Sequence, residues 1–264
     1  MIEKIYILHN KRIQETEVER EKLVDFLKKE GKTIQEEITD DTDLLITLGG
    51  DGTLLKGVHL SKGEKTLIFG VKFGKVGFMT NKTVDIKESL REIFDGNFIL
   101  SERMMIEGKV VLNNKVLYKD FSLNEILIFR KGIRIIGITG KLDKEEFIKV
   151  RADGIIISTP TGSTAHNLSS GGPILFPEME AVVVSSVSPH TLSSRSMVLP
   201  ADRKLYFEVD GESEIIFDGQ RRVDLKPGCL VEISKFKRKA KLIFIDGMEF
   251  FERLSEKFGW CKNG

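Results

Sequence analysis

The chain opens with short apolar runs alternating with charged stretches that carry apolar residues at helical spacing. Residues 4–9 read as a first buried strand. The segment behind them places Leu23, Phe26 and Leu27 at i, i+3 and i+4 before Gly31, the pattern of an amphipathic helix stopped by glycine. Residues 44–48 form a second apolar run. A glycine turn follows, then Leu54, Leu55 and Val58 at helical spacing, a helix expected to end near Gly63. A third strand is expected at 66–71 and a further helix around 84–94, ending at Gly96. Such alternation predicts a parallel sheet with helices on its faces, and ligands of such sheets bind beyond the carboxyl ends of the strands. Between these elements, Gly70, Gly74 and Gly77 are spaced along 70–80, either as a second lip of the cleft or as a loop around Phe78.

From about Ser101 the period becomes two. Residues 105–121 read as two strands joined at Asn113-Asn114, a pair that tolerates positive φ. Strand-like runs recur at 126–129, 133–139, 145–150, 155–158, 182–187, 204–209, 214–217, 230–233 and 241–245, a density that signals a β-rich second domain. Helical spacing returns at 248–258, where Phe250, Phe251, Leu254 and Phe258 need a partner surface. The expected organisation is an α/β domain over 1–98, a β-rich domain over 99–245 and a helical tail over 246–264 docking on the body.

Composition narrows the function. Lys and Arg number 41 against 40 Asp and Glu, which gives no field for gripping nucleic acid and no polybasic membrane anchor. No stretch approaches a membrane span, and Cys229 and Cys261 are too few for a zinc site or a disulfide framework. The expectation is a soluble, cytoplasmic protein.

The glycine turn carries the first candidate chemistry. Gly49, Gly50, Gly52 and Thr53 join a strand to a helix start, so backbone N–H groups can approach an anion at the helix end that favours negative charge. Asp51 is out of place in a loop shaped for phosphates. It either takes a proton from, or orients, an attacking hydroxyl beside a phosphoryl donor, or it is an ordinary acidic turn residue at a helix start. A second motif lies at 151–174. Ser158, Thr159, Thr161, Ser163 and Thr164 put five hydroxyls between an apolar strand and Gly171-Gly172-Pro173, a composition suited to a polar ligand such as a nucleotide.

Together GGDGT at 49–53, Asn124-Glu125, DGIIISTPTGSTA at 153–165, SSGGP at 169–173, PHTLSSR at 189–195 and DGQ at 218–220 resemble the NAD kinase family. Diacylglycerol and sphingosine kinases resemble the first motif and the layout but lack the STPTGSTA segment. The resemblance implies an N-terminal Rossmann-like α/β domain, a β-sandwich-like C-terminal domain, and NAD bound between them in a homodimer or homotetramer. It implies transfer of the ATP γ-phosphoryl group to the 2′-hydroxyl of NAD's adenosine ribose, with a divalent metal, Mg2+ or Mn2+, held through the ATP phosphates. Asp51 matches the family's proposed base.

The implied NAD-binding set adds Gly52, Lys56, Asn124, Glu125, Arg134, Arg151, Asp153, Thr164, Ala165, His166, Asn167, Leu168, Ser169 and Gln220. Lys56 is equally an exposed lysine, Arg134 and Arg151 equally surface ion pairs, and Asp218-Gly219 equally a β-turn. Two positions depart from the family. His166 stands where tyrosine is usual and Lys72 where asparagine is usual, which touches fine specificity and not the reaction class. No His/Cys/Asp cluster in the sequence suggests an all-protein metal cage. The rival readings are a lipid or other alcohol kinase and a non-catalytic nucleotide-sensing module.

Overall fold

The computed structural model describes residues 2–61, 63–74, 77–82, 85–245, 247 and 250–259. Val84 and Met248, where two of the helical expectations begin, and Cys261 lie outside the described residues.

The chain divides into two compact units, 1–102 with 240–264, and 103–239. The first holds a six-stranded sheet in the order Thr33–Ile34, Lys4–His9, Leu44–Gly49, Leu67–Lys72, Ala240–Phe244, Ile99–Arg103. The first four strands and Ala240–Phe244 pair in parallel. Leu44–Gly49 is buried at every residue, as expected of a central strand covered on both faces. Helix Gln14–Lys29 lays Leu23, Phe26 and Leu27 into this core. Helix Ile86–Asp95 is capped at both ends: the Asp85 carboxylate accepts from the N–H groups of Lys87 and Glu88, and Gly96 takes the left-handed conformation.

One boundary is corrected. The strand expected at 241–245 forms at Ala240–Phe244 but belongs to the first sheet, so the β-rich unit ends at residue 239. Asn81 shows why this strand lodges there. Its side-chain amide donates to Gly70 O (3.1 Å) and to Ile243 O (2.8 Å), and its carbonyl accepts from Ile245 N (2.9 Å). A fully buried amide whose side-chain nitrogen and oxygen are both paired to these strands fixes their register. The tail forms helix Phe250–Phe258, which packs on the first unit through Phe78 and Thr80.

The second unit holds two six-stranded antiparallel sheets. One runs Glu145–Ala152, Ile136–Leu142, Leu205–Asp210, Leu230–Lys235, Ile106–Leu112, Lys115–Ser122. The other runs Met197–Pro200, Ala181–Val187, Gly154–Ser158, Glu125–Arg130, Ser213–Phe217, Arg221–Leu225. Alternate residues of both sheets, among them Ile106, Ile138, Phe207, Ile128, Ile157 and Phe217, form one core between them, a β-sandwich. Asn113 and Asn114 turn the first hairpin with φ of 49° and 60°, the positive pair that a two-residue hairpin loop requires. The strand expected from 133 begins at Ile136, because Ile133 and Arg134 stand out in an exposed turn. Among the described residues no helix is long and apolar enough to cross a membrane.

Replacing Asn81 by alanine takes the side-chain acceptor from the Ile245 N–H and one donor each from Ile243 O and Gly70 O, the latter keeping the Asn81 backbone N–H. The expected cost is about 3 kcal/mol in urea unfolding, from one orphaned buried donor plus the lost bonds. A change below about 0.5 kcal/mol, the scale of an ordinary surface substitution, would show that Asn81 does not hold the returning strand.

Candidate functional site

In the first unit the site is built at the carboxyl end of strand Leu44–Gly49. Gly50 is the N-cap of helix Asp51–Leu60, with no side-chain cap, and Asp51 is the first helical residue. The Asp51 carboxylate is held by two consecutive amides: Oδ2 accepts from Phe78 N (2.9 Å) and Oδ1 from Met79 N (3.2 Å). Each oxygen keeps a further lone pair for another donor. Gly77 makes this approach possible, since a Cβ there would lie 2.1 Å from Asp51 Oδ1. Cβ atoms at Gly50 and Gly52 would meet nothing within 4 Å among the described residues. Internal packing therefore does not explain those two glycines, and the space beside them is open. Thr53 lies half-buried behind them, its N–H on Gly50 O, and Lys56 projects exposed one turn on.

In the second unit Asn124 and Glu125 begin strand Glu125–Arg130, both only 7% exposed. The segment is gripped from the neighbouring hairpin. Asp218, at φ 50°, turns its carboxylate onto the N–H groups of Leu123 (3.0 Å), Asn124 (2.7 Å) and Glu125 (3.3 Å). Burial pushes the Glu125 carboxyl up to about 8, with the Asp218 charge adding to it. Burial also raises Asp218, to about 6, against the pull of its three amide bonds and Arg221. At neutral pH Glu125 is thus held as a carboxylic acid, one O–H donor beside a carbonyl acceptor. Four buried polar atoms in this neighbourhood lack protein partners: Ser122 Oγ, Asn124 Oδ1, Glu125 Oε2 and Thr161 Oγ1. Such a group of orphaned atoms is the mark of a polar ligand or of water in its place.

In the hydroxyl-rich loop, Thr159 Oγ1 donates to Leu123 O (2.5 Å), Ser163 Oγ to Pro160 O (2.6 Å), and Ser158 Oγ to Thr159 O (2.9 Å). Ser158 and Ser163 cap the loop's own backbone, Thr159 ties the loop to the Leu123 carbonyl, and Thr161 Oγ1 is left without a protein partner. Gly162 lets it lie against the acidic segment, since a Cβ there would come 2.1 Å from Asn124 O. Asn167 is likewise scaffold. Fully buried, it donates to Ser163 O and Pro173 O and accepts from Ser185. Thr164 is buried, Ala165 and Leu168 half-buried, and His166 and Ser169 exposed on the short helix His166–Ser169.

Three expected residues fall elsewhere, and a fourth, Gln220, lies beside the Asp218 anchor. Asp153 precedes strand Gly154–Ser158 and pairs with Arg130 Nε (2.5 Å), not with Arg151. That strand's length, at about 3.3 Å per residue, separates Asp153 from the Thr159–Thr164 loop. Arg151 points from the exposed face of Glu145–Ala152 into a groove of about 740 Å³ shared with Lys149, Glu208 and Asp210. Arg134 is exposed in its turn, and Gln220 is exposed just past the Asp218-Gly219 turn. The sequence reading missed Asp218 as the anchor of Asn124-Glu125, Phe78 and Met79 as the amides on Asp51, and Arg130. Only the first left a trace, a DG turn between two strand patterns.

Glu125 keeps its proton in the folded state to about pH 8 and loses it near 4.5 when unfolded. Its contribution is complete below the lower value and is lost as pH rises toward the upper one. Glu125→Gln, a neutral mimic of the protonated side chain, is expected to flatten the fall in Tm between pH 5 and pH 8 in nucleotide-free protein. Parallel Tm–pH curves for the two proteins would refute the buried, protonated assignment.

Comparison with known proteins identifies the family. Residues 3–98 match the ATP-NAD kinase N-terminal domain and residues 123–245 the ATP-NAD kinase C-terminal domain. The NAD kinase of Gemmatimonas aurantiaca is 37% identical over 85% of this chain and 81% of its own length. That of Lachnoclostridium phytofermentans is 32% identical over 98% and 99%. Among solved structures, yeast NADH kinase complexed with NADH superposes with a TM-score of 0.88 at 20% identity, covering 100% of this chain and 89% of that one. An NAD kinase from Archaeoglobus fulgidus in complex with ATP gives 0.77 at 22%, covering 97% of each. At those identities the structures establish the fold. The domain matches and the curated relatives extend the likeness along nearly the whole sequence, and the chain belongs to the NAD kinase family.

Proposed function

We propose that in this NAD kinase Asp51 orients and deprotonates the 2′-hydroxyl of NAD's adenosine ribose while the γ-phosphoryl group of ATP is transferred to it. The observation that carries the assignment is the carboxylate's mounting. It sits in a glycine turn open to a phosphate, with each oxygen aimed by one backbone amide and one lone pair still available. A ribose hydroxyl is a poor nucleophile. A carboxylate within hydrogen-bond reach aims it and takes its proton, worth about 10²–10⁴-fold in rate. Phosphoryl transfer asks little else of a protein than placement and charge complementarity. Gly49, Gly50, Gly52 and Thr53 serve the phosphates through their amides and the positive end of helix Asp51–Leu60, with Lys56 adding a charge.

The acceptor nucleotide is assigned to Asn124, Glu125, Thr164, Ala165, His166, Leu168 and Ser169, and Asn167 holds that loop in shape. NADH in the yeast relative and ATP in the archaeal one support a site that accepts these two nucleotide types. Arg151 and Asp153 lie at the far end of strand Gly154–Ser158 from this loop. They stay in the reading as members of the NAD-binding set that the family resemblance implies, in a protein proposed to be a homodimer or homotetramer. Arg134 and Gln220, both exposed, keep only a peripheral place in it.

A divalent cation, Mg2+ or Mn2+, is part of the reading as a companion of ATP. Among the described residues no three His, Cys, Asp or Glu side chains converge on one point, so the chain's donor set fits an ion coordinated mainly by phosphate and water. Held on ATP, such an ion would supply positive charge against the phosphates. The proposed compartment is the cytoplasm, for which the free, buried thiol of Cys229 is suited.

Incubation with ATP, magnesium and NAD should yield a product heavier by one phosphate. Phosphorylation of a lipid alcohol but not of NAD, or binding without turnover, would overturn the reading. Asp51→Asn is expected to retain NAD binding by calorimetry and to lose about 10²–10⁴-fold in kcat. An unchanged kcat would remove Asp51 from the chemistry.

A further inference from the structure

The segment 77–80, which supplies the amides for Asp51, is irregular, with no strand ladder to fix it. Something else must hold it, because an amide that drifts carries the carboxylate with it. Four contacts reach it from helix Phe250–Phe258. The Phe78 ring lies near Phe250 (6.4 Å between centroids) and Phe258 (5.6 Å), and Lys257 Nζ sits 4.3 Å above it. The fourth contact is polar. Arg253, 4% exposed, donates from a terminal guanidinium nitrogen to Thr80 O at 2.8 Å. Its guanidinium also lies 4.6 Å from the centre of the Phe244 ring, on the strand that Asn81 pins.

Burying a guanidinium is costly, and a leucine or methionine would fill the same helix face without that cost. A flat cation with forked donors does what they cannot: it grips one carbonyl of an irregular segment while resting on an aromatic face. The carbonyl gripped belongs to the residue immediately after Met79, whose N–H holds Asp51 Oδ1.

We propose that Arg253 is a positioning residue for the phosphoryl transfer, fixing the 77–80 segment so that its amides keep the Asp51 carboxylate aimed over the glycine turn. The inference rests on Asp51 being the base. It assigns to the C-terminal helix a part in catalysis that no nucleotide contact gives it.

The test uses the full chain with Arg253→Ala and Arg253→Lys, each compared with the parent and with Asp51→Asn. Misplacing a catalytic group by about an ångström costs on the order of 10²-fold, so Arg253→Ala should lose about 10- to 100-fold in kcat. KM for NAD should stay essentially unchanged. Backbone amide exchange in peptides spanning 77–81 should quicken, and added guanidinium ion should restore part of the lost turnover. Arg253→Lys, which keeps one donor, should fall between. Full kcat per folded molecule would overturn the proposal. So would a loss shared by kcat and KM with unaltered exchange at 77–81, since that is the signature of a merely structural residue. If Arg253→Ala does not fold, the same readouts on Arg253→Lys decide. Asp51→Asn separates the two ideas: its retaining turnover sinks the base assignment, whereas an inactive Asp51→Asn beside a fully active Arg253→Ala sinks only this one.

Discussion

Two consecutive backbone amides on one carboxylate are the constraint around which the first unit is arranged. Asp51 and its holders, Phe78 and Met79, come from different segments, one opening a helix and one in an irregular stretch after strand Leu67–Lys72. Their relative position is only as good as the sheet beneath them. Parallel pairing of Leu44–Gly49 with Leu67–Lys72 sets one side, and the Asn81 amide sets the other. Gly77 is the sequence's concession to this geometry, because no larger residue fits against the acid.

The second unit answers the same problem with the roles of side chain and backbone kept and the purpose changed. Asp218 also grips consecutive amides, but here the carboxylate is the holder and the segment Leu123–Glu125 is what it holds. Next to it Glu125 stays protonated, because a second charge in so dry a place is too costly. Two neighbouring acids thus divide the work, one an ionised clamp for the backbone, the other a neutral hydrogen-bonding group with an oxygen still unpaired. The hydroxyls of Ser158, Thr159 and Ser163 belong to this scaffold as well, two bonded to their own loop and one to Leu123.

Much of the architecture was legible in the pattern of the chain. The central strand, the glycine turn, the Asn113-Asn114 hairpin and the change from period 3.6 to period two all leave local marks, and local marks are what a sequence displays. The strand at 240–244 was visible too, but not its sheet, because an apolar run says only that it is buried and not where. For the site, Asp51, Asn124 and Glu125 stood out as polar residues in costly places. Asp218 did not, since a DG pair is sufficiently explained by its turn. Arg253 gave no signal at all: one arginine in a charged helix looks solvated until the fold shows it buried. The hydroxyl loop showed its composition but not its bonds, because Ser and Thr cap backbone as readily as they meet ligands.

The position of Ala240–Phe244 has a bearing on how the molecule is made. It lies inside its sheet, between Leu67–Lys72 and Ile99–Arg103, yet it emerges after the whole β-sandwich has been synthesised. Until then the growing α/β layer has a missing plank, and two strands present unsatisfied backbone edges of the kind that recruit neighbours and seed aggregates. The sandwich, continuous in sequence, is free to fold first. Assembly of the α/β layer therefore waits on a strand that is synthesised only after the whole sandwich.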